Sequence, residues 1–127
     1  MPLAVVAERN QLMLQTRSQK FAASAYNNVK SIIASDDKEK YRAITRNLPV
    51  LIRTAGLAQA LAFIPSGEAQ KKMHETLIKH LSATIEKEDL ARACCNAPLH
   101  EYMRLTRDTL DALVWYKRFA ESLIEGK

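Results

Sequence analysis

The stretch Pro49-Val50-Leu51-Ile52-Arg53-Thr54-Ala55-Gly56-Leu57-Ala58-Gln59-Ala60-Leu61-Ala62-Phe63 decides the fold of this 127-residue chain. Only three of its fifteen side chains are polar. A helix that is apolar on nearly all sides belongs in the middle of a fold. Gly56 costs about 1 kcal/mol relative to alanine inside a helix, and tight packing of another backbone would offset that cost. We therefore predict a central buried helix over residues 50–64, with the amide of Gln59 hydrogen-bonded in the interior.

The rest of the chain also has helical patterning. Apolar residues recur with a period of about 3.6, and the sequence contains neither strand-like alternation nor a hairpin dipeptide. Pro49 marks either a kink or the start of a new helix. The other predicted helices cover Leu14–Ile32, Lys38–Leu48, Met73–Ile85, Glu88–Cys94 and Leu99–Ile124. Together they predict an all-α fold, a compact single-domain bundle of five to six helices over residues 1–127.

Cysteine usage and hydropathy favour a reduced, cytoplasmic protein. The first nine residues lack the basic segment and the long apolar run of a secretory signal. No stretch approaches the roughly 20 apolar residues that cross a bilayer. Cys94 and Cys95 are adjacent, so they fit neither a disulfide framework nor a CxxC metal motif. We expect no membrane contact, and the role of the two cysteines stays open.

The positive charge is concentrated in the first half of the chain. Residues 1–63 hold nine Lys and Arg against four Asp and Glu, whereas residues 64–127 hold ten of each. The net charge of +5 therefore belongs entirely to the first half. Uncompensated basic residues on one face are typical of a protein that binds phosphate, although ordinary solvated side chains would give the same composition. Our candidate phosphate contacts are Arg17, Lys20, Arg42, Arg46 and Arg53.

The sequence contains no constellation of residues that indicates catalysis. His74 and His80 are six positions apart in one predicted helix, roughly 120° from each other, which does not suit a shared metal ion. A nucleophile at Cys94 or Cys95 has no orienting acid, and Pro98 separates both cysteines from His100. Motifs for phosphate-binding loops, dinucleotides and serine hydrolases are absent. We expect no enzyme activity, metal, cofactor or small-molecule substrate.

The single tryptophan lies outside the two apolar faces of the last helix. Trp115 shares its stripe with Arg118, and an exposed tryptophan beside an arginine can stack on a base or anchor a protein contact. Carboxylates one turn away partly neutralise this stripe. We therefore favour packing or a subunit contact for Trp115, and extend that protein contact to Lys117 and Arg118.

Five parts of the chain together form a specific sequence pattern. The most specific are Gly56-Leu57-Ala58-Gln59-Ala60-Leu61-Ala62-Phe63 and Lys117-Arg118-Phe119-Ala120, the latter within Trp115–Glu121. The others are Phe21–Tyr26, Tyr41 and Pro49. With these parts the chain resembles one family of small helical proteins, the small subunit of the Cmr (type III-B) CRISPR effector complex. The resemblance covers nearly the whole chain except its first seven residues.

The resemblance implies a non-catalytic subunit present in several copies. Such copies stack beside the backbone subunits that hold the guide RNA, abut the large subunit, and help to line the groove in which target RNA pairs with the guide. Cleavage of the RNA belongs to the backbone subunit. A subunit with this role reads no sequence and needs basic residues spaced along a face for phosphates.

Two other functions stay open on the sequence alone. The first is a structural adaptor that contacts only protein, with its basic face against acidic neighbours. An adaptor of this kind would show no salt-sensitive retention on heparin or RNA. The second is an unrelated helical enzyme, which would need a pocket with perturbed acids or a metal.

Overall fold

The computed structural model describes residues 16–124, and within that range it contains six helices and no strand. The helices are α1 (Arg17–Lys30), α2 (Lys38–Ala55), α3 (Leu57–Ala62), α4 (Glu68–Thr84), α5 (Leu90–Asn96) and α6 (Leu99–Leu123). The prediction of a compact all-α fold is confirmed. Leu14, at the predicted start of the first helix, lies outside the described residues. A single domain over residues 1–127 stays a prediction.

Two helices begin with the caps that their sequences favour. Thr16 forms a capping box with Gln19 at the start of α1, in which each side chain bonds the other residue's backbone amide. At the start of α5 the carboxylate of Asp89 accepts from the amide of Arg92 at 3.2 Å. These bonds satisfy amides that have no partner within the helix and so fix where each helix begins.

The end of α4 is a Schellman motif built on a glutamate. The amide of Lys87 donates to the carbonyl of Ser82 at 2.8 Å, and the amide of Glu86 donates to the carbonyl of Ala83 at 3.2 Å. This pairing needs a left-handed residue, a position that glycine usually takes. Here Glu86 occupies it with φ of 60°. The motif therefore closes α4 at the cost of some backbone strain.

The prediction of one buried helix over residues 50–64 is wrong. Helix α2 continues through Pro49, which therefore does not start a new helix, and the chain turns at Gly56, where φ is 91° and ψ is 159°. Only glycine adopts this backbone conformation without strain. The turn leaves Phe63 half exposed and places Gln59 at the surface rather than in the interior.

A side chain from the last helix replaces the missing cap of α3. Gly56 precedes α3 and offers no side chain, but the hydroxyl of Tyr102 on α6 accepts from the amide of Ala58 at 3.0 Å. A Cβ at Gly56 would lie 3.4 Å from the same hydroxyl. The turn is therefore shaped by its backbone and by close approach of α6.

Helix α6 is the main packing partner in the fold. It packs against α1 and α2, while α2 also packs against α4. The largest fully buried side chains come from several helices and include Tyr41, Leu48, Leu57, Leu77, Leu81, Leu90, Leu113 and Tyr116. Because α2 and α6 lie side by side, their outward faces form a common surface.

A polar network ties α1 and α4 to α6 in the interior. The hydroxyl of Tyr116 donates to the backbone carbonyl of His80 at 3.1 Å and accepts from the side-chain amide of Asn28 at 2.8 Å. The hydroxyl of Thr84 forms a hydrogen bond of 2.6 Å with the Tyr116 hydroxyl and a second one of 2.7 Å with the hydroxyl of Ser24. Burial raises the pKa of Tyr116, so its phenol stays protonated and can donate. Every hydroxyl in the network has a partner, which makes this buried polar group compatible with a stable core.

Candidate nucleic-acid interface

A cleft of about 500 Å³ runs between the outward faces of α2 and α6. It is lined by Arg46, Pro49, Val50 and Arg53 from α2 and by Leu110, Leu113, Val114, Lys117, Arg118 and Glu121 from α6. We call it the basic cleft, because four of these residues are cationic and one is acidic. Helical spacing explains the arrangement, since residues three, four or seven apart on one helix lie on the same face.

One of the four cations is paired inside the cleft. The guanidinium of Arg46 donates two hydrogen bonds to the Glu121 carboxylate, one from Nε to Oε1 and one from Nη2 to Oε2 at 2.6 Å. These hydrogen bonds raise the pKa of Arg46 and lower the pKa of Glu121. Both groups are open to solvent, so a phosphate could compete for Arg46 without breaking a buried pair.

The other three cations have no carboxylate partner in the described part of the chain. Arg53, Lys117 and Arg118 form no ion pair with residues 16–124, and all three are exposed. Their positive charge is therefore available to an anion.

The structure brings together residues that we had assigned to two different roles. Arg46 and Arg53 are predicted phosphate contacts, whereas Lys117 and Arg118 are predicted protein contacts, and all four line the same cleft. The sequence alone did not indicate this juxtaposition, because it requires knowing that α2 and α6 lie side by side. Which partner each residue binds stays a prediction.

The remaining predicted phosphate contacts lie outside the cleft. On α1, Arg17 bonds Asp108 at 2.5 Å and Asp111 at 2.9 Å, while Lys20 is exposed. The hydrogen bond with Asp108 is the largest cause of the raised pKa of Arg17. Only 13% of the Arg42 side chain is exposed, and its guanidinium donates to the carbonyl of Ile124 at 3.2 Å. Arg42 therefore has a structural partner that the sequence did not reveal.

Three aromatic rings form a ladder beside the basic cleft. The rings of Trp115 and Phe119 stack with centroids 5.8 Å apart, and Phe119 meets Tyr26 of α1 edge to face at 5.5 Å. A cation lies at each end. The guanidinium carbon of Arg118 is 5.5 Å from the Trp115 ring centroid, and Nζ of Lys30 is 5.8 Å from the Tyr26 centroid. We did not assign Tyr26 or Lys30 to a site from the sequence, although Tyr26 ends the Phe21–Tyr26 run that contributes to the family resemblance.

A second, largely apolar groove lies on the other side of α2. It has a volume of about 610 Å³ and is lined mainly by Ile44, Leu48, Val50, Leu51, Phe63 and Pro65. The exposed ring of Phe63 packs edge to face against His74 with centroids 6.1 Å apart. We call it the apolar groove, and it is a surface suited to a protein partner.

Burial shifts the pKa values of several ionisable groups in the interior. Burial raises the pKa of Cys94 to about 11, so the thiol is a weak nucleophile at neutral pH. Burial lowers the pKa of His74 and of His80. No group of three or more His, Cys, Asp and Glu within residues 16–124 could hold a metal ion. None of the helices in that range is long and apolar enough to cross a membrane.

Comparison with known proteins identifies the family. Residues 17–123 match the family model described as CRISPR-associated protein (Cas_Cmr5). The CRISPR system Cmr subunit Cmr5 of Thermus thermophilus is 43% identical over 115 residues, which cover 88% of this chain and 99% of the relative. The crystal structure of a Cmr5 family protein from the same organism superposes with a TM-score of 0.80, covering 88% of this chain and 100% of that one. The chain belongs to the Cmr5 family of CRISPR-associated proteins, the small-subunit family of Cmr.

Proposed function

We propose that this protein is a non-catalytic small subunit of a type III-B CRISPR Cmr complex in the cytoplasm. Several copies stack beside the backbone subunits that hold the guide RNA, contact the large subunit, and line the groove that receives target RNA. Family membership supports the assembly, since the T. thermophilus relative is named a Cmr subunit. The proposed contact with RNA rests on the basic cleft.

The basic cleft is suited to the sugar-phosphate backbone rather than to bases. Arg53, Lys117 and Arg118 are exposed cations without carboxylate partners among residues 16–124, and Arg46 can exchange its exposed carboxylate for a phosphate. Contacts of this kind hold RNA in register without reading its sequence. Each contact is weak alone, but copies that stack along one RNA add their contributions. On α1, the exposed Lys20 offers a cation on a second face, and Arg17 would join it by exchanging its two carboxylate partners for a phosphate.

The interior chemistry supports a role without catalysis. A thiol whose pKa is raised to about 11 and histidines whose pKa values are lowered by burial serve the fold rather than a reaction. The proposal therefore assigns RNA cleavage to another subunit. It requires no metal, cofactor or small-molecule substrate for this chain.

The alternative is an adaptor that contacts protein only, and the apolar groove favours it. The exposed side chains of Val50 and Phe63 at that groove are suited to an apolar partner surface. The ion pairs of Arg17 and Arg46 also reduce the charge available to RNA. In this case Trp115, Lys117 and Arg118 would meet a neighbouring subunit.

Reconstitution with the other Cmr proteins, a guide RNA and a photoactivatable target RNA tests the proposal. We expect incorporation of the chain and crosslinks at the basic cleft, which Arg53→Ala combined with Lys117→Ala should reduce. Lys72→Ala combined with Lys79→Ala, at two exposed lysines of α4 outside the cleft, is the control with the same change of charge. Incorporation without RNA crosslinks would leave the adaptor, and failure to incorporate would contradict both functions.

A further inference from the structure

The rings of the aromatic ladder are only partly covered by the rest of the protein. Tyr26 is 41% exposed, and Trp115 and Phe119 are only partly buried against the core. Large aromatic side chains at a surface that also carries cations are the usual components of sites for single-stranded nucleic acid, because every base has a flat face that stacks on a ring. The ladder therefore calls for a ligand with both planar and anionic groups.

Its position gives that ligand a continuous path. Arg118 lines the basic cleft and also lies over the ring of Trp115, so it belongs to both surfaces. Lys30 supplies a second cation at the far ring of the ladder, Tyr26. A strand whose phosphates occupy the cleft would bring its next nucleotides onto the rings. Cations at both ends complement a polyanion that extends across the whole ladder.

We propose that the ladder of Trp115, Phe119 and Tyr26 is a stacking site for unpaired RNA bases, adjoining the basic cleft at Arg118. The inference rests on the proposed function, because it adds contacts with bases that lie outside the pairing of target with guide to the phosphate contacts of the cleft. Stacking is tolerant of sequence, which suits a subunit that reads none. An acidic protein segment would satisfy the cations but would offer no planar groups to stack on the exposed parts of the rings.

The sole tryptophan makes the inference directly measurable. Because Trp115 is the only tryptophan of the chain, its fluorescence reports on the ladder alone. The full-length protein is titrated at low salt with a twelve-residue oligoadenylate and with an abasic strand carrying the same number of phosphates. We expect oligoadenylate to quench the emission and to bind about tenfold more tightly than the abasic strand. The abasic strand should bind without quenching.

Variants locate the effect on the ladder. Tyr26→Leu removes one exposed ring, and we expect it to lower the affinity for oligoadenylate about fivefold, without changing the abasic affinity or the salt dependence. Phe63→Leu removes an aromatic ring that is 51% exposed at the apolar groove, and it should change neither affinity. Thermal melting checks that both variants are folded.

The possible results separate this inference from the proposed function. If both strands bind equally and neither quenches Trp115, the stacking site is refuted while phosphate binding stands. If neither strand binds even at low salt, the phosphate contacts are contradicted together with the ladder. Quenching by oligoglutamate as strong as by oligoadenylate would assign the ladder to an acidic protein partner instead of RNA.

Discussion

Neutralising Glu121 should increase the affinity of the basic cleft for RNA. The cleft holds four cations and one carboxylate, so its formal charge is about +3, and Glu121→Gln raises it to about +4. The same change releases Arg46 from its ion pair. For single-stranded nucleic acid, each neutralised phosphate contributes about 0.7 to the slope of log affinity against log salt. The slope should therefore steepen from about −2.1 to about −2.8.

These slopes translate into a measurable difference. Between 50 and 200 mM salt, the wild-type affinity for a single-stranded RNA should fall about 18-fold, and that of Glu121→Gln about 50-fold. Anisotropy of a labelled twelve-nucleotide RNA, recorded at several salt concentrations, measures both. At the lowest salt the variant should bind more tightly than the wild type.

The control for this prediction is a carboxylate elsewhere. Glu75 is exposed on α4 and does not line the cleft, so Glu75→Gln changes the net charge equally but leaves the cleft intact. We expect its slope to equal that of the wild type. An unchanged or shallower slope for Glu121→Gln would refute the reasoning. Equal steepening by both variants would show that total charge, rather than the cleft, controls binding.

Three predictions concern stability, each measured as the free energy of unfolding in urea. Gly56→Ala should destabilise the protein by about 1–3 kcal/mol, because alanine is strained at φ of 91°, and an unchanged value would mean that the turn relaxes. Tyr116→Phe should cost about 1–3 kcal/mol, since Asn28 and Thr84 lose their shared acceptor, and a neutral result would indicate that other partners replace it. Glu86→Gly should stabilise by about 0.5–1 kcal/mol by relieving the left-handed backbone, and any loss of stability would contradict the strain.

The sequence predicted the helices well where their periodicity was regular. The all-α class and the extent of α6 were accessible, because amphipathic patterning reports which face is buried. The segment over residues 50–64 misled us, since composition does not reveal a backbone turn. We recognised that a glycine at position 56 destabilises a helix, but we interpreted Gly56 as a point where another backbone packs closely against one continuous helix. Its true role depends on a positive φ that only the fold imposes.

The candidate site was predictable only in part. Arg17, Arg46 and Arg53 could be selected because the first half of the chain is basic, but the carboxylates that pair with Arg17 and Arg46 come from residues 64–127. Glu121 lies 75 positions after Arg46, and Asp108 lies 91 positions after Arg17. Local charge patterning cannot detect pairs at such separations, so a face that seemed free of acids proved partly neutralised. For the same reason, the sequence did not show that Lys117 and Arg53 line one cleft.

The cap that Tyr102 places on α3 has a consequence for the order of folding. Helix α3 has only six residues, and a helix that short is not stable by itself in water. Its first turn depends on a hydroxyl encoded 44 positions later, in the last helix of the chain. In a nascent chain that ends before α6, the amide of Ala58 therefore lacks its hydrogen-bond partner, and we expect α3 to be unfolded. Helix α3 can form stably only after α6 has been synthesised and has packed against it.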